Sequence, residues 1–188
     1  MVWLIRSILL SCLFLAAGCT VQGTIERLSS PEDRAFAQRF VENVRGGNEE
    51  ALKPEFESGL WGESRAQLPR ARAFFPSGKG ETKLIGFNIS ANVTNGASST
   101  RKEFTLVTTD GKRWTVTQLV TLAQGGPARV IGWNVNGFTE PPPELRTYEQ
   151  MERLAPWFQA GVLIVLVGAG LLIFWLVRRS RRRSAARS

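Results

Sequence analysis

Apolar positions along this chain follow three successive spacings, and each spacing predicts a different kind of element. Between Ser30 and Gly47 the spacing is helical: Phe36, Phe40 and Val44 recur every four residues, with Ala37 and Val41 beside them. Ser30-Pro31-Glu32-Asp33 opens this helix with Ser as N-cap, Pro at the first helical position and acids in the first turn, and Gly46-Gly47 stops it. Asn48 caps a short second helix through Leu52, limited by Pro54. A third helical stretch, 65–75, presents Leu68, Ala71 and Phe75, is interrupted near Pro69 and ends at Pro76-Ser77-Gly78.

From Glu81 the period becomes two. The run 84–93 places Ile85, Phe87 and Ile89 on one face, and Asn95-Gly96 follows as a hairpin signal. The run 102–109 alternates Phe104 and Leu106 with Glu103 and Thr105, and Asp110-Gly111 turns it. The run 113–122 carries Trp114, Val116, Val120 and Leu122 on one face, with Thr115, Thr117 and Thr121 opposite. Gly125-Gly126-Pro127 makes the third turn, and 130–135 supplies Ile131, Trp133 and Val135. Such runs and turns predict an antiparallel meander. Helices followed by a meander give an α+β domain over 30–139, its N-terminal helices packed on one face of a curved four-stranded antiparallel sheet.

The third pattern is unbroken. Residues 157–177 carry no charge over 21 positions, a helix of roughly 31 Å that matches the hydrocarbon core of a bilayer. Trp157 and Trp175 sit near its two ends, where interfacial aromatics belong. Arg178, Arg179, Arg181, Arg182 and Arg183 follow as a positive-inside flank, so the tail 178–188 is expected in the cytoplasm and the domain outside.

At the other end, Arg6 precedes an apolar stretch and Ala16-Ala17-Gly18-Cys19, the layout of a bacterial signal peptide over 1–18. The small residues before Cys19 resemble the lipobox of bacterial lipoproteins, which implies lipidation of Cys19; Ala16 stands where that box usually has Leu. A plain signal peptide and an uncleaved anchor are the alternatives. Residues 19–29 read as a linker. Residues 140–156 read as a stalk that Pro141-Pro142-Pro143 makes stiff and extended, with Leu145 and Tyr148 at helical spacing for a short helix leading into the bilayer. The expected location is the inner membrane of a bacterium, with the domain on its periplasmic face.

Charge and composition narrow the chemistry. The formal net charge of +8 invites a nucleic-acid reading. The tail and Arg6 hold seven of the 24 basic residues, leaving 17 against all 16 acidic ones, a net of about +1. The basicity therefore belongs to topology and to anionic headgroups, and nucleic acid is not an expected partner. The chain has no His, and its two cysteines are Cys12 and Cys19, so neither a disulfide nor a zinc site of the usual type is expected in the domain. No cofactor is expected.

The order of elements, with the strand pattern Lys-Arg-Trp-Thr-Val-Thr-Gln-Leu-Val followed by Arg-Val-Ile-Gly-Trp-Asn-Val, resembles the NTF2-like superfamily over about 30–139. That resemblance implies a cone in which sheet and helices enclose a pocket, with Glu103, Trp114, Gln118 and Trp133 as candidate lining residues. The enzymes of that family place Asp, Tyr or His in the pocket. Here the one tyrosine is Tyr148, beyond the sheet, and the two aspartates are Asp33 at a helix start and Asp110 in a turn. No catalytic residue is expected. The leading expectation is a binding or assembly module for an envelope protein, a second copy or a small apolar ligand. The alternative is a small-molecule enzyme with Glu103 or Glu81 as base. Gly78-Lys79-Gly80 lacks phosphate-loop spacing and reads as a connection. Lys112-Arg113 with Arg129 are candidates for a basic rim at the hairpin ends.

Overall fold

The computed structural model describes residues 20–78, 80–94 and 96–185, giving backbone alone for 173, 174 and 176–185. Cys19, the expected signal segment 1–18 and Asn95 lie outside the described residues, as do the side chains of the five tail arginines. The chain divides into two compact units, Thr24–Glu149 and a second that includes Gln150–Ser188 and the described residues up to Gly23.

Part of the expected linker is helical. In α1 (Val21–Leu28) the Thr20 hydroxyl accepts the Gly23 N–H at 2.9 Å, Ile25 is buried, and Ser29 donates its hydroxyl to the Ile25 carbonyl. Val21, Ile25 and Leu28 stand at helical spacing, although only Ile25 of them is buried. α2 (Pro31–Gly46) begins as its sequence predicts: Asp33 N–H donates to Ser30 Oγ at 3.1 Å while Ser30 N–H donates to Asp33 Oδ2 at 3.3 Å, a reciprocal capping box. Its buried face is Ala37, Phe40, Val41 and Val44, and it closes on Gly47 at φ 69°, a left-handed conformation that favours glycine.

Asn48 caps α3 (Glu49–Leu52), which runs into a 3₁₀ turn, Lys53–Glu55. α4 (Trp61–Phe74) starts earlier than expected and passes through Pro69 without a break. Proline removes one N–H from the ladder, and burial of Leu68 and Ala71 on either side holds the helix across that gap.

Four strands follow in the order β1-β2-β3-β4, all antiparallel: β1 (Glu81–Thr94), β2 (Ala97–Thr109), β3 (Trp114–Gln124) and β4 (Arg129–Phe138). Leu84 pairs with Leu106 and Gly86 with Thr105, so Ile85 is an extra residue in β1; Ile131 is the extra residue in β4, between the pairs Val120–Gly132 and Thr121–Val130. Each bulge reverses the alternation that the uninterrupted sequence predicts. Leu84, Phe87 and Ile89 share a face, in place of Ile85, Phe87 and Ile89.

Register then sorts the sheet into two faces. One carries Leu84, Phe87, Phe104, Leu106, Leu119, Val130, Trp133 and Val135 together with Thr108, Thr115, Thr117 and Thr121. Helices pack on this face: Phe40 meets Trp133 at 6.0 Å between ring centroids, Thr115 donates its hydroxyl to the Phe74 carbonyl at 2.6 Å, and the Lys102 ammonium is 2.8 Å from both Asp33 oxygens. The far face carries Lys83, Glu103, Val107, Trp114, Val116, Gln118 and Val120. Val107 and Val116 are buried there.

α5 (Pro143–Ala185) is one helix of 43 residues, about 65 Å long. It begins inside the expected stalk, so the extended spacer is confined to the residues before Pro143. Within the domain unit, its first turns carry the buried Tyr148, whose ring lies 4.6 Å from the Lys83 ammonium on the far face of the sheet. In the second unit, Glu152 accepts the Gln22 N–H at 2.6 Å, and Trp157, Phe158, Ile164, Val165 and Leu171 are exposed. Among the described residues this is the one helix long and apolar enough to cross a membrane.

Candidate functional site

The four residues expected to line a pocket do not meet. Glu103, Trp114 and Gln118 lie on the far face, and Trp133 lies on the helix face. Glu103 is ion-paired with Arg101 at 2.8 Å with 43% of its side chain exposed, Gln118 is exposed, and Trp114 is half-buried. Glu81, the other candidate base, is exposed on the same far face.

Between helices and sheet, where a cone would hold its cavity, aromatic rings fill space. Phe56 contacts Phe40 at 5.9 Å, Trp61 at 5.5 Å and Trp133 at 6.4 Å, all in tilted or edge-on geometry. Each such pair adds about 0.5–1.5 kcal/mol beyond area burial. The cluster also anchors the segment after α3 to the sheet: Phe56 bridges Val130 in parallel and Glu57 N–H donates to the Val130 carbonyl at 3.1 Å. Arg129 reaches back to the Pro54 carbonyl. One edge of the sheet, β4, is thereby partly covered.

The other edge is open. Among the described residues no strand pairs with the outer side of β1. Residues 84–94 contain no charge and no proline. Beyond the helices, Ile89 and Val93 are 44% and 70% exposed on one face, alternating with exposed Asn88, Ser90 and Asn92 on the other.

A basic cavity is the feature that pattern reading missed. Arg45 from the end of α2, Arg72 from the end of α4 and Arg113 from the residue just before β3 line one cavity of about 520 Å³. Arg113 was expected to join Arg129 in a rim; Arg129 is instead occupied at Pro54. The three are far apart in sequence, and the one local hint is that each stands where an element ends or begins. Arg45 donates to the Gly78 carbonyl. Arg72 lies so close over Gly47 that a Cβ there would overlap its guanidinium. Asp110, in the turn before Arg113, aims its Oδ1 at the backbone N–H groups of Lys112 and Arg113, both at 2.9 Å, and those bonds hold its carboxyl below the usual range. Glu32 is lowered too, by its own backbone N–H and the Ser30 hydroxyl.

Among the described residues no three Asp, Glu, Cys or His side chains converge as metal ligands would. No protein-family model, curated protein or solved structure matches the chain, so its functional reading rests on this geometry.

Proposed function

We propose that this protein is a membrane-anchored, extracytoplasmic assembly module of NTF2-like type, which recruits a protein partner through strand pairing at the cell envelope. The observation that carries the reading is the β1 edge: a 14-residue outer strand, uncharged over 84–94, with Ile89 and Val93 exposed. Open edges are ordinarily blunted by charge, proline or a covering segment, because their unpaired N–H and C=O groups template pairing with another chain. The bulge at Ile85 guards only the end nearest the helices. A partner strand would gain main-chain hydrogen bonds along the edge and an apolar row from Ile89 and Val93.

Helix-then-meander order supports the NTF2-like reading, and α5 supports the anchor. The filled aromatic interface favours a protein partner over a small apolar ligand. The enzyme alternative gains nothing from Glu103 and Glu81, which both stand on the face away from α2 and α4, Glu81 exposed and Glu103 partly so.

Photocrosslinkable residues at positions 89 and 93 of the full-length protein, in its native membrane, are expected to give discrete protein adducts, with the exposed position 42 of α2 as control. Val93→Lys should reduce the adduct at 89 severalfold. Adducts that persist unchanged in Val93→Lys, or appear equally at 42, contradict the reading. Orientation has its own check: with an impermeant thiol reagent on intact cells, Ser98→Cys should label above background and Ser184→Cys should not.

A further inference from the structure

Three guanidinium groups share one cavity, and none forms a salt bridge among the described residues; the nearby acid, Asp110, feels the Arg113 charge only as a minor influence beside its backbone bonds. Elsewhere in the domain, Arg65, Arg101 and Lys102 pair with Glu49, Glu103 and Asp33. No Asp or Glu lines the cavity, and Asp110 is turned to backbone amides beside it. Converging like charges repel unless something offsets them. Arg45 and Arg72 sit in the last turns of α2 and α4, where each helix end supplies roughly half a negative charge; with Asp110 beside Arg113 the cavity still keeps a net positive charge.

Two of the arginines are also held in place. Arg45 is tied to Gly78, Arg72 lies against Gly47, and Pro69 and Pro76 stiffen the wall between them. Each guanidinium has five N–H donors, so the contacts described leave donors for a ligand. We infer that this cavity binds a phosphomonoester group. An anion complements the positive charge, and several guanidinium forks match the oxygens of a phosphate. A volume of about 520 Å³ exceeds what one phosphate fills, so the group attached to it lies along Ser77 and the proline rings. The chemistry is shared by a soluble phosphate ester and by a lipid headgroup of the phosphatidic acid kind. The site is separate from the β1 edge, and either can fail without the other.

The test is calorimetric titration of inorganic phosphate into the full-length protein in phosphatidylcholine nanodiscs, at constant ionic strength set with chloride. Saturable binding is expected. Arg72→Gln and Arg113→Gln should each weaken it by about tenfold or more, while Arg70→Gln, exposed on α4 outside the cavity, leaves it unchanged. Arg113 is exposed beside a turn, so its substitution leaves the core intact even if Arg72→Gln unfolds. Nanodiscs containing phosphatidic acid separate the sources: loss of phosphate binding there identifies a headgroup ligand, and unchanged binding identifies a soluble one. Non-saturable heat, or Arg70→Gln weakening binding as much as Arg113→Gln, overturns the site.

Discussion

The two faces of the sheet are built from opposite materials. The face under the helices mixes Phe104, Leu106, Leu119 and Val130 with a row of buried threonines, Thr108, Thr115, Thr117 and Thr121. The far face holds the more apolar row of β3, Trp114, Val116, Val120 and Leu122, yet only Val116 of these is fully buried. Hydrophobicity alone would place the helices on the wrong side of β3. Threonine is tolerated inside because its β-branched shape packs like valine, provided the hydroxyl is bonded. Thr108 shares a hydrogen bond with Thr82 at 2.9 Å, and Thr115 donates to Phe74. The core side is set by where the large aromatics of neighbouring strands point, and β3 follows its neighbours.

Truncation should expose this asymmetry most strongly. Phe104 is 1% exposed and packs on Phe87 at 5.2 Å, so Phe104→Ala is expected to cost about 3–5 kcal/mol in urea unfolding. Val116 is equally buried on the other face, but Val116→Ala removes only two methyl groups and should cost about 2 kcal/mol. A larger loss at Val116 would mean that the far face, under Tyr148, is the principal core. Gly137 gives an intermediate test. A Cβ there would lie 2.8 Å from Phe74 Cδ1, so Gly137→Ala should cost about 1–3 kcal/mol through overpacking of α4 against β4.

How much of this was readable beforehand depends on whether the signal is local. The cap at Ser30, the Asp110-Gly111 turn with Gly111 at φ 87°, and the long apolar run are each written in adjacent residues, and helix, hairpin and apolar helix stand where the sequence places them. The face on which a strand residue lands is not local. Trp114 and Trp133 both sit in alternating runs, but cross-strand register and the bulges at Ile85 and Ile131 decide their sides, and the two fall on opposite ones. The arginine cavity is still less legible, because Arg45, Arg72 and Arg113 carry no pattern until two helices and a hairpin bring their ends together.

The threonine row can be tested one hydroxyl at a time. Thr117 Oγ1 is buried without a hydrogen-bond partner among the described residues, whereas Thr115 Oγ1 is bonded. Thr117→Val keeps the shape and removes an unbonded polar atom, so it should stabilise the domain by about 1 kcal/mol. Thr115→Val strands the Phe74 carbonyl and should destabilise by about 1 kcal/mol. Opposite signs from the same substitution two positions apart would show that bonding, and not polarity as such, governs the inward face. Equal signs would break that account.

The smallest expected effect lies at the turn that joins β2 to β3, where both faces end. Asp110 accepts from the Lys112 and Arg113 amides, and those bonds favour its charged form in the folded state. Its folded pKa lies below its unfolded one, so the stabilisation is complete above the unfolded value, about 3.9. It is lost as pH falls through the folded value. In Asp110→Asn the side chain still offers an oxygen but no longer titrates. Thermal melts from neutral pH downward should therefore show the wild type losing more stability than Asp110→Asn, with the gap opening only below about pH 4. Glu32 is lowered by local hydrogen bonds at the start of α2, so Glu32→Gln should shift the curve in the same direction and add to Asp110→Asn, since the two groups belong to different elements. A gap that opened above the ordinary carboxylate range would point to a different titrating group, and the turn would then contribute nothing to the acid limb.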